Sequence, residues 1–185
     1  GKLTGLREIS SLCIRLPHRI YGVSAPLYEK MRDGGFHDNV LIYSLPGHGK
    51  TTLLRELIPL LASGENALRI AVIDTRCELY GTTEDDMADV LFGYPRALGM
   101  ETAIRTLSPQ MILCDELMTT EDLTALESCV RCGIPVCATM HAAAPSGIDT
   151  AFRRHFSLFC AVTRTADGEH RYTYQRKEGE RLCTV

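Results

Sequence analysis

The sequence predicts a three-layer α/β domain with a mostly parallel central sheet, and three observations predict it. An apolar run at residues 40–43 leads through a glycine-containing loop into a leucine-rich amphipathic stretch. Two more short, nearly continuous apolar runs, 68–73 and 111–114, each end at acidic residues. Stretches with helical periodicity lie between these runs. Such runs are typical of parallel strands buried on both faces, and the amphipathic stretches are typical of the helices that cover them.

Residues 1–24 do not resemble the start of a domain. Residues 9–16 alternate weakly between apolar and polar side chains, which indicates an edge strand that Pro17 would end. We interpret 1–24 as the tail of an absent N-terminal domain or a linker, and 25–185 as the main domain. A short helix is predicted at 27–31.

The stretch from Ser44 to Thr52 is Ser-Leu-Pro-Gly-His-Gly-Lys-Thr-Thr, the pattern of a phosphate-binding loop (P-loop) between a strand and a helix. Its backbone N–H groups would converge on a phosphate, and the new helix adds free N–H groups and its positive dipole end. Lys50 is expected to reach the β and γ phosphates, and the Thr51 hydroxyl to bind Mg²⁺. The usual pattern starts with glycine, and Ser44 is tolerated there if its φ is negative. The predicted nucleotide-binding residues of this segment are Pro46, Gly47, His48, Gly49, Lys50, Thr51 and Thr52.

Helices and strands are expected to alternate after the loop. A helix is predicted over residues 50–62 and a buried strand over 68–73. Residues 82–98 are expected to be irregular, and we interpret the acidic cluster at 84–86 as a solvated helix start rather than a metal site. A further helix is predicted at 101–107.

The second chemical motif is Met-Ile-Leu-Cys-Asp-Glu at residues 111–116, an apolar strand that ends in two acids. In a Walker B strand, Asp115 would hold Mg²⁺ and Glu116 would polarise the attacking water. The pattern gains weight because it follows a phosphate loop by about 60 residues. The alternative is that the two acids cap the helix predicted at 120–132.

Polar residues that end the next strand, predicted at 134–139, complete the candidate site. Thr139 and His141 would meet the γ-phosphate, although His141 has the equal alternative of an ordinary loop histidine. Arg76 and Arg105 are candidates for stabilising transition-state charge, within the subunit or across an interface. Ordinary surface pairing of both arginines is the alternative.

The C-terminal part is predicted to contain a helix at 146–154, with Ser146 as its N-cap, and then two strands. The strands, at 157–164 and 170–176, are joined by Ala-Asp-Gly at 166–168, which predicts a C-terminal β-hairpin.

Composition excludes several classes of protein. A net charge of −3 gives no global basic field, so no direct nucleic-acid binding is predicted. No apolar run approaches the length of a membrane span. Most of the eight cysteines lie in apolar stretches, where a thiol acts as a small hydrophobe. Cys129, Cys132 and Cys137 would form a zinc site only with a fourth ligand, which the spacing does not supply.

The order of the motifs is that of the RecA and AAA+ branch of P-loop NTPases, since one strand separates the phosphate-loop strand from the Asp-Glu strand. A set of short patterns is more specific. They are Arg55-Glu56, Asp74-x-Arg76-x-Glu78, Asp89-Val-Leu91, Gly93-x-Pro95, Gly99-Met100, Ile104-Arg105-x-x-Ser108-Pro109, Asp115-Glu116, Glu121-Asp122 and Thr139-x-His141. Together, over about residues 8–145, they resemble the stage III sporulation protein AA family, which is similar to the ATPases of type II and type IV secretion systems.

The resemblance implies a P-loop fold of the RecA/AAA+ type, ATP or ADP and Mg²⁺ as ligands, and a homo-oligomeric ring, a hexamer in the full-length protein. It implies a role in the mother cell of an endospore-forming bacterium. There the ATPase would be cytoplasmic, or peripheral at the membrane around the forespore, and would serve membrane-associated channel proteins. This chain departs from the family, which has a glutamate where Thr75 stands and a Gly-Arg pair where Met118 and Thr119 stand.

We therefore expect an ATPase domain over 25–185 that binds Mg-ATP and hydrolyses it slowly by itself. The alternative is a nucleotide-gated assembly module with little turnover, which Ser44, Thr75 and Thr119 favour. A small-molecule kinase is a third possibility, although the sequence shows no recognisable lid or acceptor pocket.

Overall fold

The structure is a computed structural model that describes residues 22–79, 88–179 and 181–185. The helices of these residues are α1 (Ala25–Asp33), α2 (Lys50–Ala62), α3 (Arg96–Thr106), α4 (Thr120–Arg131) and α5 (Thr150–Arg153), with a 3₁₀ turn at Pro145–Gly147. The strands are β1 (Val40–Ser44), β2 (Ile70–Asp74), β3 (Asp89–Phe92), β4 (Met111–Glu116), β5 (Val136–His141), β6 (Leu158–Arg164), β7 (His170–Glu178) and β8 (Arg181–Thr184).

These strands form a single sheet with the order β3-β2-β4-β5-β1-β6-β7-β8. Every neighbouring pair from β3 to β6 is parallel, and β7 and β8 add an antiparallel end. The predicted α/β fold, with its mostly parallel sheet and C-terminal hairpin, is therefore confirmed. Because parallel strands end at the same edge, the polar residues that follow β1, β2, β4 and β5 are brought to one side of the molecule.

Helices cover both faces of the sheet, which gives the predicted three layers. On one face, α1 and α2 pack against the sheet, and the α2 leucines Leu53, Leu54, Leu57 and Leu61 are fully buried. On the other face, α3, α4 and α5 pack against the alternate residues of the same strands. Each buried leucine contributes about 1.5–3 kcal/mol relative to an exposed one, so burial of the α2 face holds the helix behind the phosphate loop in place.

Two short strands were missing from the sequence prediction. β3 lies within the stretch that was expected to be irregular, and β8 pairs with β7 after the predicted hairpin. All four residues of β3 and of β8 are exposed or half-buried, so neither strand has the continuous apolar run that marks a buried one.

Helix boundaries also differ. α3 begins at Arg96, directly after Pro95, which is earlier than the predicted start at 101. The helix predicted at 146–154 is instead a 3₁₀ turn followed by α5, whose N-cap is Asp149 and not Ser146, because the Asp149 carboxylate accepts the Ala151 N–H at 2.8 Å. The strand expected at 9–16 and the acidic cluster at 84–86 lie outside the described residues.

Side-chain contacts fix the segments around the phosphate-loop helix. Glu56 of α2 accepts the Ser24 N–H at 2.6 Å, and the Ser24 hydroxyl donates to the Leu53 carbonyl at 2.7 Å. The neighbouring Arg55 donates through Nε to the Glu78 carbonyl at 2.9 Å. The Arg-Glu pair of α2 thus joins the entry into α1 on one side to the segment after β2 on the other.

Four thiols of the described chain are fully buried, as expected of small hydrophobes. They belong to Cys114, Cys129, Cys137 and Cys160. Burial raises their pKa, to about 12 for Cys129 and Cys160, so the uncharged thiol is the resident form. In the part of the chain that the structure describes, no helix has the length and apolar character that crossing a bilayer requires.

Candidate nucleotide-binding site

The phosphate loop connects the end of β1 to the start of α2. Gly47 and Gly49 have φ values of 78° and 93°, in the left-handed region that favours glycine. At Gly49 the space is limited as well, because a Cβ there would lie 3.3 Å from Nε2 of His170. Ser44 is the last residue of β1 and keeps the extended backbone of a strand, so the loop tolerates serine in place of the usual first glycine.

Lys50 is buried at the start of α2, with only 6% of its surface exposed. Its ammonium group lies 3.3 Å from the Ser44 carbonyl, 3.2 Å from the Ser44 hydroxyl and 3.5 Å from the Leu45 carbonyl. It also donates to Nδ1 of His141 at 2.8 Å. Burial lowers the pKa of Lys50, and the charge of Glu116 partly offsets that effect. The ammonium is therefore placed where a phosphate could replace neutral acceptors.

His141 lies between Lys50 and Glu116. Because Nδ1 accepts from the Lys50 ammonium, a neutral imidazole carries its proton on Nε2, which lies 3.3 Å from Oε1 of Glu116. Arg76, half exposed, lies 3.7 Å from the other Glu116 oxygen. The structure thus brings together four predicted catalytic residues, from α2, β5, β4 and the segment after β2.

Asp115 lies at an irregularity of β4 and has partners that the sequence did not predict. Along β4, Met111 and Leu113 pack on the α2 face and Cys114 packs on the α3–α4 face. Regular alternation would turn Asp115 to the α2 face, where Thr51 lies, but the pairing of β4 with β5 shifts register between Cys114 and Glu116. This irregularity turns Glu116 toward Lys50 and leaves Asp115 facing α3 and α4.

The partners of Asp115 come from the residue after β2 and from α3. Oδ1 accepts from Nε of Arg96 at 2.7 Å and from the Thr75 hydroxyl at 3.2 Å, and Oδ2 accepts from the Thr75 N–H at 3.1 Å. Asp115 is therefore held by protein donors, and its role as a magnesium ligand stays a prediction.

Arg96 was missed by the sequence reasoning. Its second nitrogen donates to Asp122 at 2.7 Å, and its side chain is only 9% exposed. Burial opposes its charge, but the contacts with Asp115 and Asp122 raise its pKa above the ordinary value. A signal would have been available had the helix start been placed correctly: a cation at the first residue of a helix opposes the helix dipole, which indicates a nearby carboxylate.

The remaining predicted residues lie in or near the loop, with one exception. Thr51 and Thr52 are in the first turn of α2, and Thr139 is buried on β5, where it pairs in register with Glu116. Pro46 and His48 lie in the loop itself. Arg105 is exposed near the far end of α3, nine residues beyond Arg96 and so about 13 Å along the helix. The structure does not bring Arg105 to the other residues within this chain.

The residues present fit a nucleoside triphosphate with Mg²⁺. The two left-handed glycines open a cradle that side chains would fill, and the buried Lys50 ammonium is aimed into it. The Thr51 hydroxyl and the Glu116 carboxylate are hard oxygen donors, the kind that Mg²⁺ prefers.

Comparison with known proteins agrees with this geometry. The family model for sporulation stage III, protein AA matches residues 1–159, most of the chain. The chain belongs to the sporulation stage III protein AA family. Stage III sporulation protein AA of Bacillus subtilis (strain 168) is 32% identical over 151 residues, which cover 76% of this chain and 49% of that protein.

Two solved structures show the same fold as this family member. The ATPase DotB of Legionella pneumophila superimposes with a TM-score of 0.58 at 20% identity, over 78% of this chain and 47% of that one. The pilus retraction motor PilT with bound ADP gives a TM-score of 0.61 at 16% identity, over 89% of this chain and 53% of that one. The chain spans about half the length of the curated relative and of both structures.

Proposed function

We propose that this chain is an ATPase domain that binds Mg-ATP through its phosphate loop and hydrolyses it at Glu116. The observation that carries the proposal is the continuous contact from Lys50 through His141 to Glu116. A lysine at a helix start is common by itself. Here the lysine is joined through His141 to Glu116, a carboxylate that could orient water, and this combination indicates chemistry at the γ-phosphate. The fold shared with DotB, an ATPase, and with PilT, a motor with bound ADP, supports the proposal.

In the proposed mechanism each side chain has a separate task. The loop N–H groups and Lys50 bind the phosphates, and the Lys50 ammonium exchanges the Ser44 and Leu45 carbonyls for phosphate oxygens. Glu116 orients the attacking water, and the His141 Nε2–H lies beside it to meet the γ-phosphate together with Thr139. The Thr51 hydroxyl would hold Mg²⁺, which supplies neutralisation of phosphate charge when bound.

Exposed side chains at the same edge of the sheet support assembly into a homo-oligomer. Arg76 is 54% exposed although it faces Glu116, so a neighbouring subunit could approach it. Apolar Leu98 and Met118 are 50% and 62% exposed near the Arg96 cluster, and exposed apolar patches are a mark of interaction surfaces. We propose that subunits meet at this edge in a ring, where Arg105 of one chain would act on another.

Family membership supports a biological setting for this activity. The ATPase would work in sporulation, in the cytoplasm or peripherally at the membrane around the forespore, and would serve membrane-associated channel proteins. The relative from Bacillus subtilis carries sporulation in its name, which supports this setting.

Calorimetry of ATP binding, together with phosphate release, tests the central proposal. Lys50→Ala is expected to weaken ATP binding by about 100-fold, because losing charge-assisted contacts costs about 2–3 kcal/mol. Lys30→Ala on α1 removes a lysine far from the loop and is the matched control. An ATP affinity that Lys50→Ala leaves unchanged would overturn the proposal.

A nucleotide-gated assembly module with little turnover is the second candidate. The arrangement of Asp115 favours it, because Arg96 and Thr75 occupy a carboxylate that a fully active Walker B motif would devote to the metal. Tight ATP binding without measurable phosphate release, in the full-length protein at high concentration, would establish this function instead.

A further inference from the structure

Arg96 joins three elements beside the proposed hydrolytic carboxylate. It is the first residue of α3, it bonds Asp115 at the end of β4, and it bonds Asp122 in the first turn of α4. Both bonds are 2.7 Å long, and all three side chains are at most 13% exposed. This is a closed ionic cluster rather than a surface pair, and buried charges need each other because neither is solvated by water.

The cluster coincides with the register shift in β4. Asp115 is the residue between Cys114 and Glu116, where the pairing with β5 becomes irregular. If Asp115 returned to regular alternation, the following residue would turn to the opposite face of the sheet. Holding Asp115 toward α3 and α4 is therefore the condition for Glu116 to face His141 and Lys50.

Asp122 extends the effect to the segment after β4. Its Oδ2 also accepts the N–H groups of Met118 and Thr119, both at 2.9 Å. Since Leu117 and these two residues follow Glu116 directly, the cluster fixes the chain on both sides of that carboxylate. Arg96 thus contacts neither the phosphate loop nor Glu116, and any influence it has on hydrolysis passes through Asp115 and Asp122.

We infer that Arg96 is a positioning residue for the hydrolysis assigned above: it holds Asp115 in the β4 irregularity and so aims Glu116 at the phosphate loop. The inference rests on the proposed ATPase function and deepens it. It also gives Asp115 a different task from that of a magnesium ligand, because Asp115 then serves as the anchor by which Arg96 holds β4.

The test uses two variants that keep shape or charge. Asp115→Asn is nearly isosteric, and Arg96→Lys keeps a cation but cannot bridge two carboxylates. Both are expected to lower kcat about tenfold and to leave the KM for ATP within about twofold. The double variant should be no worse than the poorer single variant, because both changes break the same contact. Arg154→Lys and Glu127→Gln, which alter a surface ion pair of 2.6 Å, are the matched controls and should keep wild-type kcat.

Magnesium dependence of ATP affinity, measured by calorimetry, supplies a readout besides activity. If Asp115 is an anchor, Asp115→Asn keeps the gain in ATP affinity that Mg²⁺ produces in the wild type, and so does Arg96→Lys. If Asp115 were instead a metal ligand with which Arg96 competes, Asp115→Asn would lose that gain and Arg96→Lys would increase it. Either of these results would overturn the inference.

Outcomes for the two proposals are distinguishable. A wild-type chain that binds no ATP removes the proposed function and this inference with it. A wild-type chain that hydrolyses ATP, with Asp115→Asn and Arg96→Lys folded by circular dichroism and equal to it in kcat, removes this inference alone. A drop in kcat that is additive in the double variant also removes it, since the residues would then act separately.

Discussion

Asp115 and Glu116 are neighbours in sequence, and their side chains are almost equally exposed, at 13% and 14%, yet they occupy opposite environments. Asp115 accepts three hydrogen bonds from Arg96 and Thr75, between 2.7 and 3.2 Å. Glu116 has two looser ionic neighbours, at 3.3 and 3.7 Å. A carboxylate with short hydrogen bonds to both oxygens contributes to structure, whereas one with distant, half-exposed partners leaves its oxygens accessible to a water molecule. Exposure alone does not distinguish the two roles.

The largest expected effect is on the Asp115 side of this comparison, in the ionic cluster with Arg96 and Asp122. Asp122→Ala removes the carboxylate that accepts from Arg96 and from the N–H groups of Met118 and Thr119. Because a buried cation loses one partner, the free energy of unfolding should fall by about 3 kcal/mol. Urea unfolding measures the change, with Glu121→Ala, an exposed residue of the same helical turn, as the control. A loss below about 1 kcal/mol would mean that the cluster is not a structural unit.

On the Glu116 side of the comparison, Glu116→Gln should keep ATP binding and lower phosphate release by about 100-fold, since the amide cannot orient water as a carboxylate does. Its unfolding free energy should change little, in contrast to Asp122→Ala. Phosphate release is measured at saturating ATP, and calorimetry checks that binding is retained. Wild-type release by Glu116→Gln would show that this carboxylate has no part in hydrolysis.

His141→Ala sharpens the comparison, because His141 is the link between Lys50 and Glu116. Hydrolysis is expected to fall about tenfold, while stability stays within about 0.5 kcal/mol, since the side chain is 38% exposed. Steady-state turnover and thermal melting measure the two quantities. Normal turnover together with a large loss of stability would reverse the assignment of His141 from the site to the scaffold.

Gly99→Ala tests whether the position of α3 matters to the Arg96 cluster. A Cβ at Gly99 would lie 2.6 Å from Cγ2 of Ile73 on β2, so α3 must move away from the sheet. Overpacking costs more than the helix propensity of alanine returns, and a net loss of about 1 kcal/mol is expected. In an Ile73→Ala background the same change should cost nothing further. Equal losses in both backgrounds would show that contact with Ile73 is not the cause.

The smallest effect is expected for Arg76→Ala in the isolated chain. Arg76 is 54% exposed and 3.7 Å from Glu116, so hydrolysis by monomers should fall only about two- to threefold. In the full-length protein, turnover per subunit should rise with concentration, and Arg76→Ala and Arg105→Ala should reduce that rise. A flat concentration series, with neither variant affected, would contradict assembly through these arginines.

Sequence reasoning predicted which residues meet at the candidate site better than it predicted how they are oriented. The phosphate loop, the Asp-Glu strand and His141 were found because each follows a buried apolar run whose carboxyl end must reach the same edge of the sheet. The face to which Asp115 points was not predictable, because an irregularity of one residue in β4 reverses the alternation and leaves no mark in composition.

Arg96 was not predicted from the sequence for a related reason. Its role depends on two carboxylates that lie 19 and 26 residues away in sequence, and on a helix start placed five residues too late by the helical pattern. β3 and β8 were missed because packing at the edges of a sheet requires no continuous apolar run. The parts of the fold that depend on local patterns were thus predictable, and those that depend on distant partners were not.

The contact between His170 and Gly49 makes the C-terminal hairpin a reporter for the phosphate loop. His170 is exposed, is the first residue of β7 and lies beyond the segment that the family model matches. Its Nε2 nevertheless lies 3.3 Å from the place that a Cβ on Gly49 would occupy. A small environment-sensitive probe attached at position 170 would therefore lie beside the phosphate loop. Occupancy of the loop could then be followed optically while Lys50 and Glu116 remain unaltered.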